Sequence, residues 1–336
     1  MIYIYVKGSG YQKSNGIAVI VNNFLKYCKE SGLAVSCIRS LNGLSTDNIV
    51  IPYGPKESME IINLGYKAEF SLLVDAISLG YLNKIIHYLK TVHFFHKDFL
   101  YSIYGYLRYS LYEKKIVKKF KKIILVSQTD IDYLQRGEAR DKFICLKNGI
   151  NFPKVISKKS KSKKLRIGIL SMWDSYQSTE ENRWILRKYI SKYIKSHSDV
   201  EFILAGRGKR IQQFALIPSI KIIGEVTSLD DFFSNIDVFL SPNPKGCGIL
   251  NRVLDAIAYN TPIIGHKNSF SGFRGMEKGF LSFDDYTSFC SIIQKIKSRD
   301  LQASLVSEAS KFAYDNLIWE KNYINFINQY IKPFVL

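Results

Sequence analysis

Residues 241–265, SPNPKGCGILNRVLDAIAYNTPIIG, decide how this chain is read. An apolar strand ending at Ser241 runs into a loop bearing Gly246 and Gly248. A helix is expected over 248–259 and a further strand over 262–265. A helix N-terminus after a Gly-rich loop offers backbone N–H groups and the positive end of a dipole, which suits an anion and most often a phosphate. Arg252 sits one turn into that helix, where its guanidinium can pair with the same phosphate. Asp255 follows at three residues, a carboxylate placed to accept from two adjacent hydroxyls such as those of a ribose. The same residues also fit a plain helix with a Gly-rich entry and an i,i+3 ion pair. Spacing alone does not choose between the two.

Working outward, the plan repeats. The first segment reads as a strand over 2–6, a polar loop over 7–15, a helix opened by Gly16 and ended by Gly32, and a strand over 33–38. Strands over 49–53, 70–74 and 122–127 follow, and 145–150 closes the series. Residues 154–166 (KVISKKSKSKKLR) read as a basic linker. The second half restarts with strands over 166–170, 201–205, 220–223 and 238–241, and with helices over 180–195 and 229–235. Its end is helical. The expected domains are therefore 1–153, the linker 154–166, 167–315, and a closing helix 316–336 that returns to the first domain. The expected fold is α/β, two doubly wound parallel-sheet domains of Rossmann-like type with a cleft between them.

The order of these motifs resembles GT-B glycosyltransferases of family 4. GCGILNRVLDAIAYNTPIIG resembles the nucleotide-sugar-binding signature of that family, and VEFILAGRGKR (200–210), IKIIGEVTSLDDFFSNIDVFLSP (220–242), FSGF (270–273) and LIWEKNYINFINQYI (317–331) resemble the segments around it. In the first half, 14–38, YEKKIVKKFKKIILVSQTDIDYL (112–134) and KNGIN (147–151) resemble the family's opening, middle and closing motifs. The resemblance implies a GT-B fold and transfer of a sugar from a nucleoside-diphosphate donor. It places Asp255 on the donor ribose and Arg252 on the pyrophosphate, with Gly248 and Ile249 offering backbone N–H groups and Asn251 beside them. Gly206 and Arg207 line the donor side, Val226 lies near the nucleobase, and Gly16 lets a loop approach without a side-chain clash.

This chain departs from the pattern. Cys247 stands where many relatives carry a glutamate, Asp255 replaces the second glutamate, and Asn260 replaces a usual glycine. The basic pair expected after the first strand of the second domain is missing, since 171–182 reads SMWDSYQSTEEN. Arg207, Lys209, Lys245 and Arg252 are the available substitutes. The family's retaining chemistry implies front-face displacement, with the departing phosphate helping to deprotonate the acceptor. No metal and no cofactor are implied, the nucleotide sugar being a substrate. Asp130-Ile131-Asp132, Asp230-Asp231 and Asp284-Asp285 are read as helix caps rather than metal ligands. Asp75, His93 and His96 are the acceptor-side candidates, with Asp75 and His93 taken as catalytic.

Composition narrows the partners. The chain has 336 residues, formal net charge +19, and five scattered cysteines with no CxxC pair, so it signals neither a disulfide framework nor a zinc site. Residues 94–122 interleave aromatic rings with lysines, a composition suited to an anionic membrane surface. No signal peptide or membrane-spanning run is read. The implied setting is the inner face of the cytoplasmic membrane, with a lipid-linked saccharide acceptor from bacterial surface polysaccharide assembly. Nucleic acid is not an expected partner, because no binding motif accompanies the charge. A non-catalytic relative that binds nucleotide sugar or polysaccharide is the alternative, and a nucleic-acid-binding protein the lesser one.

Overall fold

A computed structural model describes residues 1–7, 16–91, 97–135, 137–154, 156–157, 162–174 and 176–335. The chain forms two compact units: Met1–Gly149 with Lys245–Ile249 and Asn316–Leu336, and Ile150–Pro244 with Leu250–Asp315. The short segment Lys245–Ile249 thus packs in the first unit, although the sequence places it in the second.

The first unit runs β1 (Ile2–Tyr5), α1 (Gly16–Glu30), β2 (Val35–Ile38), β3 (Ile49–Pro52), α2 (Pro55–Asn63), β4 (Phe70–Val74), α3 (Ile77–Thr91), α4 (Lys97–Lys119), β5 (Lys122–Leu125), α5 (Gln128–Gln135) and β6 (Phe143–Cys145). Two parallel three-stranded sheets, β2-β1-β3 and β4-β5-β6, meet through a bridge between Tyr53 and Leu72. The final strand lies at 143–145, ahead of the expected 145–150. β4 is buried at every position, as a strand covered on both faces must be. Its one polar side chain, Ser71, is satisfied by Ser58 at 2.8 Å. α1 ends as the sequence reads. Gly32 at φ 78° lets Leu33 N–H reach the Cys28 carbonyl, 3.0 Å away, closing the helix.

The second unit runs β7 (Leu165–Leu170), then α6 (Tyr176–Trp184), which passes through a wider helical turn at Ile185–Ile190 into α7 (Ser191–Tyr193). There follow β8 (Val200–Ala205), β9 (Ile220–Gly224), α8 (Leu229–Phe233), β10 (Val238–Ser241), α9 (Asn251–Ala258), β11 (Ile263–His266), β12 (Leu281–Phe283), α10 (Tyr286–Lys295) and α11 (Arg299–Asn316). The strand order β12-β11-β10-β7-β8-β9 reverses direction between β7 and β10, and such a reversal opens a crevice at the carboxyl ends of those two strands. The edge strand β12 escapes the sequence reading because three residues carry no periodic signal.

Arg166, the last residue of the expected linker and the first of the expected strand over 166–170, lies on β7 and is buried. Its guanidinium meets Asp237 at 3.1 and 3.2 Å, and its backbone N–H donates to the same carboxylate at 2.9 Å. This pair joins the start of β7 to the residue ahead of β10. Both charges are buried, so removing either partner strands the other.

The last segment, α12 (Trp319–Phe326) and α13 (Lys332–Val335), packs in the first unit. Tyr323 and Phe326 meet the ring of Phe24 edge-on, and Tyr323 also meets Tyr27. Phe24 is fully buried, a contribution of about 2 kcal/mol from apolar area alone. Gly149 fits because a Cβ there would sit 2.3 Å from Trp319.

Candidate functional site

In the second unit the crevice is built by close backbone approach. Gly206, directly after β8, has φ 118°, and a Cβ on it would lie 1.8 Å from the Ser171 carbonyl oxygen. Gly208, at φ 124°, is pressed equally hard against Asp174. No other residue fits at Gly206, so the loops after β7 and β8 are held together by the lack of a side chain. Trp173 reinforces the join, its indole N–H donating to the Ala205 carbonyl at 2.8 Å. Ser171, at the end of β7, accepts from Asn182 at 2.9 Å and from Arg252 at 3.4 Å.

The loop after β10 is fastened by the turn at Lys267–Phe270. Ser269 donates to the Ser241 and Asn243 carbonyls at 2.8 and 3.0 Å, and Asn268 to that of Pro244 at 2.7 Å. α9 starts at Asn251 rather than at 248, because Gly246 and Gly248 adopt φ 60° and 66°, which no right-handed helix accepts. It ends with Asn260 at φ 49°, where Asn260 and Thr261 N–H groups bond back to Ile257 and Ala256 at 3.0 and 2.9 Å. Asparagine is the best non-glycine residue for that left-handed position, which accounts for the Asn260 departure.

Arg252 and Asp255 therefore stand on the first two turns of α9, and Arg252 reaches Ser171 at the end of β7. Burial pushes the Asp255 carboxyl up to about 6, against the pull of Arg252. Arg207 is exposed and pairs with Asp174 at 2.7 Å. The loop after β7, which lacks a basic residue of its own, is thus reached by three arginines from elsewhere: Arg207 and Arg210 from beyond β8, on Asp174, and Arg252 from α9, on Ser171. Val226 is half-buried in the loop after β9. Of the expected donor-side residues, this unit gathers Gly206, Arg207, Asn251, Arg252 and Asp255 around the ends of β7, β8 and β10, with Val226 one strand further out.

The first unit presents a different chemistry at the ends of β4 and β5. The Asp75 N–H donates to the Leu73 carbonyl at 2.9 Å, closing a three-residue turn about Val74 at φ 71°. A β-branched residue there is strained, by about 1–3 kcal/mol. The turn ends the strand and sets Asp75 against Gly248, where a Cβ would fall 2.0 Å from the carboxylate. Asp130, on the adjacent α5, is buried and converges on the same place. It accepts from Ala76 N–H at 3.1 Å, from Gly248 N–H at 2.9 Å and from Ser127 at 2.5 Å. The N–H assigned to a donor pyrophosphate at Gly248 is thus already taken by a carboxylate. Asn83 on α3 holds the same loop through the Lys245 carbonyl at 2.6 Å, and Gly80 lets Cys247 approach.

Burial, then the neighbouring Asp130 charge, pushes Asp75 up to about 7, with Lys245 pulling the other way. Burial likewise raises Glu113 to about 7, although it accepts from the Ser78 N–H at 3.1 Å and from the Ser78 hydroxyl. The Cys247 thiol is pushed well above its usual range by burial and by these acids, so it is no thiolate at neutral pH. Asp130 lies in the first turn of α5 but is not its cap as the sequence implies: its N–H donates to the Ser127 hydroxyl at 3.2 Å, so Ser127 caps the helix. Asp285 caps α10 in a reciprocal box with Ser288, whereas at α8 the cap is Ser228 and Asp231 is its partner one turn in. What the sequence missed is that Asp130 reaches beyond its own helix. The available signal was its position one turn after a buried strand end. Gly16 opens α1 as expected. Ile249 is buried beside Gly248. His93 and His96 lie outside the described residues.

Residues 167–298 match the sequence model of the family described as Glycosyl transferases group 1. No curated protein matches the chain. Among solved structures, a glycosyltransferase from Rickettsia africae aligns with TM-score 0.61 at 14 % identity, over 98 % of this chain and 97 % of its own. WaaG, a glycosyltransferase involved in lipopolysaccharide biosynthesis, aligns with TM-score 0.62 at 9 % identity, over 99 % and 100 %. HepE from Anabaena, solved with UDP and glucose, aligns with TM-score 0.58 at 11 % identity, over 98 % and 99 %. The fold is GT-B, residues 167–298 match the model of a group 1 glycosyltransferase domain, and the protein is a glycosyltransferase.

Proposed function

We propose that the protein transfers a sugar from a nucleoside-diphosphate donor to a lipid-linked saccharide, during assembly of a bacterial surface polysaccharide. The observation that carries this reading is the pair Arg252 and Asp255 at the start of α9, inside the matched domain and at the strand reversal. Breaking the sugar–phosphate bond develops negative charge on the leaving pyrophosphate. Arg252 and the α9 dipole stabilise that charge where it forms. Asp255, with its carboxyl at about 6, is mostly ionised at neutral pH and accepts hydrogen bonds from the ribose hydroxyls. Asp75, at about 7, exchanges a proton readily near neutrality and serves the acceptor hydroxyl. The reaction proceeds with retention, by front-face displacement, with neither obligate metal nor cofactor. HepE's complex with UDP and glucose and WaaG's place in lipopolysaccharide biosynthesis support the donor class and the setting.

Ligand-induced thermal stabilisation against UDP, GDP, ADP and CMP tests the reading. A nucleotide at 100 times its dissociation constant adds about 2.7 kcal/mol. Stabilisation of the wild type by one nucleotide, lost in Asp255→Ala, supports the donor site. No stabilisation by any of the four, with the variant indistinguishable from wild type, overturns it.

A further inference from the structure

α4 is amphipathic in an unusual sense. Its inner side carries Ser102, Gly105, Glu113, Ile116 and Val117, with Gly105 pressed against Tyr81 of α3. Its outer side carries Leu100, Tyr104, Leu107 and Leu111, exposed at 62, 59, 57 and 69 %. At 100° per residue these four fall on one line along the helix, spanning about 16 Å. The outer face of a soluble helix is ordinarily charged or polar. Between residues 99 and 112 the only charge is Arg108, which turns back to the Tyr112 hydroxyl at 3.3–3.4 Å. The same line then changes character within one turn. Lys118 continues it, Lys114 and Lys115 flank it on either side, and Lys119 lies a quarter-turn away, all exposed. Two further exposed apolar side chains, Ile86 and Leu89, lie in the last turns of α3, the helix packed against α4. No helix among the described residues is long and apolar enough to cross a membrane.

We infer that the outer line of α4 is the surface on which the protein docks to an anionic lipid bilayer. Leu100, Tyr104, Leu107 and Leu111 enter the headgroup–acyl boundary, and the lysine end rests on lipid phosphate. A second copy of the chain is the poorer occupant. It would bring another lysine-rich surface and a further +19 to a face that already lacks acidic groups. The inference deepens the reading of a lipid-borne acceptor and rests on it for its purpose, while its test stands apart from catalysis.

The test is co-sedimentation with vesicles of phosphatidylglycerol and phosphatidylethanolamine, beside vesicles of phosphatidylcholine alone. Wild type is expected to partition at least tenfold more strongly onto the anionic vesicles, and to be released by high salt. Leu107→Glu with Leu111→Glu, both at exposed positions, is expected to lose that binding at least tenfold. Replacing Lys114, Lys115, Lys118 and Lys119 with Gln is expected to abolish the preference for anionic lipid. Nucleotide stabilisation, measured on the same preparations, should be unchanged in both variants. Failure of wild type to bind, or equal binding by the Leu variant, overturns the docking surface. A dimer of wild type without vesicles that the Leu variant breaks also overturns it, in favour of a second copy. In each of these cases intact nucleotide stabilisation leaves the transferase reading standing.

Discussion

The two units share one architecture and end their strands in opposite chemistry. The loops after β7 and β8 are brought together by glycines and approached by three arginines. The ends of β4 and β5 are lined by acids that hold their protons into the neutral range. A parallel sheet with covered faces always exposes loops at the carboxyl ends of its strands. What those loops do depends on a few side chains. In one unit, missing side chains let backbone and cations gather, which suits an anion. In the other, buried carboxyls exchange protons.

The comparison can be broken most severely at Gly206. Gly206→Ala puts a Cβ 1.8 Å from a carbonyl at a left-handed φ, and should cost more than about 3 kcal/mol in urea unfolding or prevent folding of the second unit. By contrast, Gly32→Ala in the first unit has nothing within 4 Å to strike and should cost only about 1 kcal/mol of backbone strain. Equal losses at both positions would show that conformation rather than contact matters.

Next in size is Asp237→Ala. It leaves the buried Arg166 guanidinium without its carboxylate and should cost about 3–5 kcal/mol, read from the same unfolding curves.

The acidic strand ends predict a pH dependence of a few kcal/mol. Asp75 and Glu113 titrate near 7 when folded and near 4 when unfolded, so the folded state binds more protons between those values. Stability should therefore be greatest at the acid side of that window and fall as pH rises from about 4 to 7. Asp75→Asn should flatten the slope, and a slope unchanged by that variant would mean that Asp75 is not the group that titrates.

The smallest expected effect is on a single titration. Asp130→Asn removes a negative neighbour and should lower the Asp75 pKa below about 7, as followed by carbon NMR of the carboxyl group. An unmoved or raised Asp75 would show that burial alone sets its charge.

Much of this was legible along the chain. The alternation of apolar runs with helical spacing located β4 and β10 to the residue, and Gly32 marked the end of α1, because those signals are local. The motif placed Arg252 and Asp255 three residues apart on neighbouring faces of one helix, since so short a separation leaves little room for error. The start of α9 was misread because Gly246 and Gly248 look like a helix entry in sequence, and only their backbone angles show otherwise. Arg166 stood at the boundary of the basic linker and the strand over 166–170, but its burial and its partner Asp237, 71 residues away, were not legible there.

What the sequence determined by itself is the class of fold, two parallel α/β units, and the segment that carries Arg252 and Asp255. Periodicity and turn residues act over a few positions, and those features are local. Only tertiary structure decided that Asp75, Asp130 and Gly248 meet, that Gly206 is irreplaceable because of Ser171, and that one side of α4 is left apolar and uncovered. Each of these depends on which strands become neighbours and which faces find a partner, and no local pattern encodes that.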